Sequence, residues 1–304
     1  FIGLTMALCA TVRSIPTLAA VGWTLISYTI FAVLFFAGPI ALISGELSTM
    51  LPQEGGPQLW VKTALGSKWG FVVAWLLWVQ MFPGMVMVAS TLGPLLGNTF
   101  GNVHLGENHW FVLGCILVIY WIITILNLKF DMAKVGGNIG VWLGVYIPVL
   151  VMFVLGLLSM IKVGLTPGGY LGAFSWSKVL PNLENMDTFK YLAGIAFIFV
   201  GIEMSSVYIP RLKDATKNYT KGVFISLIGL VLLNVINAMF VANIVPNGKM
   251  ELSNITQPIL LYCDVLGLPT IIGNIFSFMV FLGVLLQLSA WVTGPDRKST
   301  RLNS

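Results

Sequence analysis

Eight runs of about twenty predominantly apolar residues follow one another along this chain, and at 1.5 Å per helical residue each is long enough to cross most of a bilayer's hydrocarbon core. They centre in Phe1–Ala20, Trp23–Leu47, Trp69–Leu96, Trp110–Leu128, Gly140–Ile161, Lys190–Pro210, Gly222–Val245 and Ile271–Thr293. A soluble domain does not carry such a pattern: only 9% of the residues are charged, where about 25% is usual, and 57% are apolar. Lipid offers backbone groups no hydrogen-bond partners, so the expected fold class is an all-α polytopic membrane protein with the bilayer as its partner. Lys and Arg outnumber Asp and Glu, 16 against 11, but they stand singly or in short clusters between the runs. Membrane topology uses them there, and a nucleic-acid partner is not expected.

The basic residues also orient the chain. Lys62, Lys68, Lys129, Lys134, Arg211, Lys213, Lys217 and Lys221 fall in connections that alternate with those holding Lys162, Lys178, Lys190 and Lys249. The heavier set marks the cytoplasmic side of a plasma-membrane protein, which puts the N-terminus inside and the connections Gly97–His109 and Gly164–Asp187 outside. The opening run has neither a basic leader nor a small-residue cleavage site, so a span is expected there and not a cleavable signal. Pro52, Gly55-Gly56 and Pro57 predict a turn, followed by a short interfacial helix within residues 50–70. A second short amphipathic helix is predicted over Ile255–Leu266. The tail from Arg297 turns abruptly polar and reads as non-native, leaving one transmembrane domain over residues 1–296.

Few residues invite chemistry outside the spans. His104 and His109 lie in a polar connection without a carboxylate cluster, and their spacing does not share a helical face, so a solvated loop is expected and no metal. Cys9, Cys115 and Cys263 are far apart and read as small apolar fillers, not as a disulfide framework. Asn218-Tyr219-Thr220 and Asn254-Ile255-Thr256 fit the glycosylation pattern, which is short enough to arise by chance. No cofactor is expected, and no feature specifies an oligomeric state.

Two of the runs are costly as spans. The sixth carries Gly201 and Glu203 near its middle, where a charge costs about 2.5–3.5 kcal/mol on insertion scales and glycine about 1 kcal/mol against alanine. The first carries Arg13 beside Pro16, which removes a backbone donor and disfavours helix just before it. Arg13 is too deep for easy snorkelling. Interrupted first and sixth helices predict an inverted repeat with a site near the bilayer midplane, the first repeat over about residues 1–163 and a partial second over about 188–296. A continuous sixth span with Glu203 bonded to a neighbour, and an ordinary kink at Pro16, are the structural alternatives.

The segments PTLAAVGW from Pro16, GELSTMLPQEGGPQLWVKTALGSKWGF from Gly45, FIFVGIEMSSVYIPRLKDATKNY from Phe197 and GVLLQLSAWVTGP from Gly283 resemble the amino acid–polyamine–organocation transporters, and most of all the bacterial glutamate/γ-aminobutyrate antiporters. The resemblance implies a leucine-transporter-type fold of which this chain supplies about eight helices. It implies that substrate is contacted through Ala10, Thr11 and Arg13 of the first span. In the sixth span the implied contacts are Phe197 as the gating aromatic, Val200, Gly201 and the acid Glu203. Gln287 and Trp291 stand at the subgroup's acid and aromatic positions in the eighth span. The glycines usual before Arg13 are absent; Gln287 replaces an acid and Arg13 adds a positive charge where relatives have an aromatic, so the pocket is expected to favour an acidic substrate or carboxylate. Arg13 is expected to pair with Glu203 when the site is empty.

The function expected is therefore secondary transport of an amino acid by alternating access, as an antiporter or permease and not an enzyme. Glu203 is the candidate for proton coupling, since a carboxylate removed from water can be neutralised near physiological pH. A proton-coupled symporter of other specificity is the near alternative. A channel is the alternative of another class, although the runs lack the repeated polar stripes of a pore. Gln80 and Pro83 of the third run are further pathway candidates, with a helix-to-helix hydrogen bond and a kink as the simpler readings.

Overall fold

The computed structural model describes residues 12–51, 56–129, 139–166, 168–181, 190–203, 205–206, 214–252 and 254–302. Among them there are helices and no strands, apart from an isolated bridge between Gly169 and Pro246. In chain order the α-helices are α1 (Ile15–Ala19), α2 (Leu25–Ala32), α3 (Gly38–Met50), α4 (Pro57–Leu65), α5 (Ser67–Ala89), α6 (Leu92–Thr99) and α7 (Val103–Glu107). They continue with α8 (His109–Lys129), α9 (Ile147–Val163), α10 (Trp176–Val179), α11 (Leu192–Phe197), α12 (Ala215–Ile244), α13 (Gln257–Leu266) and α14 (Ile271–Leu302).

Six continuous stretches among the described residues are long and apolar enough to cross a membrane: Gly22–Met50, Ser67–Thr99, His109–Lys129, Trp142–Val163, Asn218–Ile244 and Ile271–Ser289. They coincide with the second to fifth, seventh and eighth runs of the sequence, and the protein is a multi-pass membrane protein. On α8 the side chains of Leu113, Leu117, Val118, Trp121, Ile122 and Ile125 are all exposed, a surface that water would penalise and lipid accepts. The short helix expected within residues 50–70 is α4, entered at Gly56 with φ 52° and left at Gly66 with φ 90°. The one expected over Ile255–Leu266 is α13, which buries Pro258, Ile259, Tyr262 and Cys263 on one side.

The described helices group into two compact units, Phe1–Val73 with Val163–Leu252, and Ala74–Lys162 with Ser253–Ser304. In the first unit α1, α2 and α3 pack on α12, and α11 packs on α1 and α2. Contact between α3 and α12 is close enough that a Cβ on Gly45 would stand 2.8 Å from Thr220 Oγ1. The stretch from α2 to α3 widens into a π turn over Val33–Ala37, where the Gly38 amide reaches back five residues to the Val33 carbonyl. Pro39 has no N–H and would clash with a carbonyl four residues back, and the wider turn moves that carbonyl aside.

The connection after α9 is strapped to one end of this unit. Asn243 near the end of α12 accepts from the Thr166 amide at 3.0 Å and donates to the Gly164 carbonyl at 2.9 Å. The amides of Tyr170 and Leu171 donate to the carbonyls of Val245 and Ala242, each at 2.8 Å. Further along, Thr24 and Ser27 at the start of α2 donate to the carbonyls of Lys178 and Val179 at 2.8 and 2.6 Å.

In the second unit α14 packs against α6, α8, α13 and the π turn Trp142–Tyr146 that precedes α9. This turn again stands just before a proline, Pro148, and the Ile147 amide reaches back to the Trp142 carbonyl. At its centre Gly144 lies backbone to backbone with Gly283 of α14. A buried polar cluster ties the ends of α6, α13 and α14: Asn98 donates to Asn254 Oδ1 and Thr256 Oγ1, both at 3.1 Å, and Thr256 Oγ1 is 2.6 Å from Ser277 Oγ. Asn254 Oδ1 also accepts the amides of Thr256 and Gln257, at 3.1 and 3.2 Å, which makes that asparagine a structural cap for α13.

Candidate functional site

The sixth run starts as a helix and then stops being one. After α11 ends at Phe197, the amides of Phe199 and Val200 reach back only three residues, to Ala196 and Phe197 at 3.1 Å. Gly201 follows with φ 105°, a conformation open to glycine and strained for other residues. Its freed amide donates to Glu203 Oε2 at 3.1 Å. Tight turns then carry the chain through Ser205 and Ser206, whose hydroxyls donate to the carbonyls of Ile202 and Glu203 at 2.7 and 2.6 Å. Ile198, Phe199 and Ile202 anchor the broken stretch in the core, at 3%, 0% and 0% exposure. The expected interruption of this span is what the described residues form.

Where it is described, the first run is helical throughout: a 3-10 turn over Val12–Ser14 passes directly into α1, with Pro16 in its first turn, and Gly22 at φ 64° turns the chain into α2. The interruption expected at Arg13 and Pro16 does not appear among the described residues. Proline's missing donor is harmless at that position in a helix. Val12 and Ile15 are buried on either side of Arg13, whose own side chain is partly exposed. The two segments are neighbours: a Cβ built on Gly194 of α11 would come within 4.0 Å of Thr17 Cγ2 on α1.

The expected site residues distribute as follows. Arg13, Phe197, Val200, Gly201 and Glu203 all lie in the first unit, on these two segments. Phe197 is 54% exposed, whereas Val200, Gly201 and Glu203 are half-buried. Ala10 and Thr11 lie outside the described residues. Gln287 and Trp291 stand four residues apart on α14 in the second unit, and a Cβ on Gly144 would be 3.2 Å from Gln287 Nε2.

The pairing of Arg13 with Glu203 is a correction. The structure brings His104 Nδ1 within 3.3 Å of Glu107 Oε2 in the exposed connection after α6 and shows no such contact between Arg13 and Glu203. Glu203 turns to the Gly201 amide instead, because unwinding presents that donor two residues away, where a bond closes almost no loop. Sequence reasoning also passed over Ser205, Ser206, Tyr219, Thr17 and Gly194. The serine pair directly after Glu203 was the available signal, since serine hydroxyls commonly satisfy carbonyls left over where a helix fails.

Chemically, the arrangement holds a backbone freed from helical bonding at Gly201, a carboxylate at Glu203 and a guanidinium at Arg13. A family model described as amino acid permease matches residues 1–302 of the chain. An uncharacterized transporter of Legionella pneumophila is 28% identical over 94% of this chain and 60% of its own length. The glutamate/gamma-aminobutyrate antiporter of Lactococcus lactis is 24% identical over 98% of this chain and 59% of its own, and a probable agmatine/putrescine antiporter of the same species is 24% identical over 91% and 58%. The chain thus spans about three-fifths of the length of these curated relatives.

Proposed function

The chain belongs to the amino acid permease family, and from that premise we propose that the protein is a secondary amino acid transporter, an antiporter of the glutamate/γ-aminobutyrate type working by alternating access. The observation that carries the reading is the unwound turn at Gly201 and Glu203, set on a segment that adjoins the first span. A small zwitterion needs donors for its carboxylate and an acceptor for its ammonium. The Arg13 guanidinium would serve the first, and Glu203 with the turn carbonyls the second. Ala10, Thr11, Phe197, Val200 and Gly201 complete the contact set proposed on these two segments. Glu203 is the proposed point of proton linkage, and the plasma membrane with a cytoplasmic N-terminus is the proposed setting.

The two named Lactococcus relatives divide the substrate question by charge. An agmatine or putrescine exchanger handles a polycation, which a guanidinium in the site would repel. Arg13 therefore favours a carboxylate-bearing amino acid.

Counterflow in proteoliposomes of the full-length protein tests this. Internal unlabelled glutamate or γ-aminobutyrate should drive saturable accumulation of labelled substrate, and Arg13→Gln should weaken preference for the more acidic substrate by about tenfold. Accumulation driven by putrescine alone would overturn the substrate class. Electrogenic, unsaturable flux would replace the carrier with a channel.

A further inference from the structure

The turn that carries Glu203 is held only in part by its own bonds: the Ile202 amide reaches the Phe199 carbonyl at 3.4 Å, and Gly201 lies outside helical geometry. Besides the burial of Ile198, Phe199 and Ile202, a hydroxyl pair ties this stretch to another helix of its unit, Ser205 Oγ and Tyr219 OH, 3.1 Å apart, on residues that are both 0% exposed. Tyr219 stands on the first turns of α12, fourteen positions further along the chain.

Ser205 Oγ stands between two groups: it donates to the Ile202 carbonyl at 2.7 Å and lies 3.1 Å from Tyr219 OH. It thereby links Tyr219 to the carbonyl of Ile202, the residue standing between Gly201 and Glu203. Of the two serine caps, Ser205 is the one whose hydroxyl is also bonded to a side chain of another helix.

We infer that Tyr219 is a positioning residue for the amino acid site: acting through Ser205, it fixes the turn from Gly201 to Glu203 in the form that receives substrate. The inference rests on the transport reading above and adds to it a residue that touches no substrate. Tyr219→Phe removes the hydroxyl and leaves the ring to fill its place in the core, and Ser205→Thr keeps a hydroxyl where Ser205→Ala does not.

Two readouts on the full-length protein test it together, substrate exchange in proteoliposomes and amide hydrogen exchange in detergent. Tyr219→Phe and Ser205→Ala should each raise KM for the exchanged amino acid by about twofold to tenfold, the range of one buried hydrogen bond, with the maximal rate held within about twofold. The double variant should be no worse than the poorer single one, and Ser205→Thr should restore KM. Amides of residues 198–206 should exchange faster in Tyr219→Phe, while those of 222–244 keep their protection. Unchanged exchange at 198–206, additive effects on KM, or faster exchange throughout α12 would overturn the inference. Faster exchange confined to 198–206 in a protein that transports no amino acid would leave the turn-fixing role standing and bring down the transport reading instead.

Discussion

The amide of Gly201 donates to the carboxylate of Glu203 at 3.1 Å, so the residue that breaks the sixth span and the residue that brings charge into it form one structural unit. Glu203→Gln keeps an oxygen for that amide and loses the charge, whereas Glu203→Ala loses both. The alanine variant should be the less stable, by about 1–3 kcal/mol relative to wild type, with the glutamine variant in between; thermal unfolding in detergent reads the order.

Gly201 itself is held at φ 105°. Gly201→Ala should cost about 1–3 kcal/mol of stability, or relax the turn toward helix and release the bond to Glu203. In either case substrate exchange falls several-fold more than it does for alanine at Gly194, whose Cβ would meet Thr17 Cγ2 at an ordinary 4.0 Å.

In the second unit, Gly283 and Gly144 meet without side chains between them, and a Cβ on Gly283 would overlap the Gly144 backbone. Gly283→Ala should therefore destabilise by about 1–3 kcal/mol or more, because two backbones must separate. On α8, Gly114→Ala meets nothing within 4 Å and should be neutral or slightly stabilising through helix propensity. Unfolding temperatures of the two purified variants, compared with wild type, measure the difference.

Hydropathy alone located the six uninterrupted spans, because lipid demands about twenty apolar residues whatever the tertiary packing. The break in the sixth span was legible for a related reason: Gly201 and Glu203 are each expensive in a membrane helix, and the structure departs from regular helix there, whereas Pro16 is absorbed in the first turn of α1. What the sequence did not disclose depends on partners far along the chain. The approach of Gly144 to Gly283 and the hydroxyl pair of Ser205 with Tyr219 have no local periodicity to betray them. The π turns before Pro39 and Pro148 were half-visible, since each proline forbids an ordinary helical bond, but the sequence does not say whether a kink or a wider turn relieves it. The expected bond between Arg13 and Glu203 failed because opposite charges were weighed and the nearer backbone donor was not.

The central claim is that the adjoining segments of the first and sixth spans enclose an amino acid. Thr17 faces Gly194 across that contact, so the most direct measurement is alkylation of Thr17→Cys in a full-length protein whose Cys9, Cys115 and Cys263 have been replaced by serine. Glutamate or γ-aminobutyrate should slow labelling in a saturable way, and putrescine should not. A labelling rate that no amino acid alters, in a protein that still performs counterflow, would contradict the placement of the site.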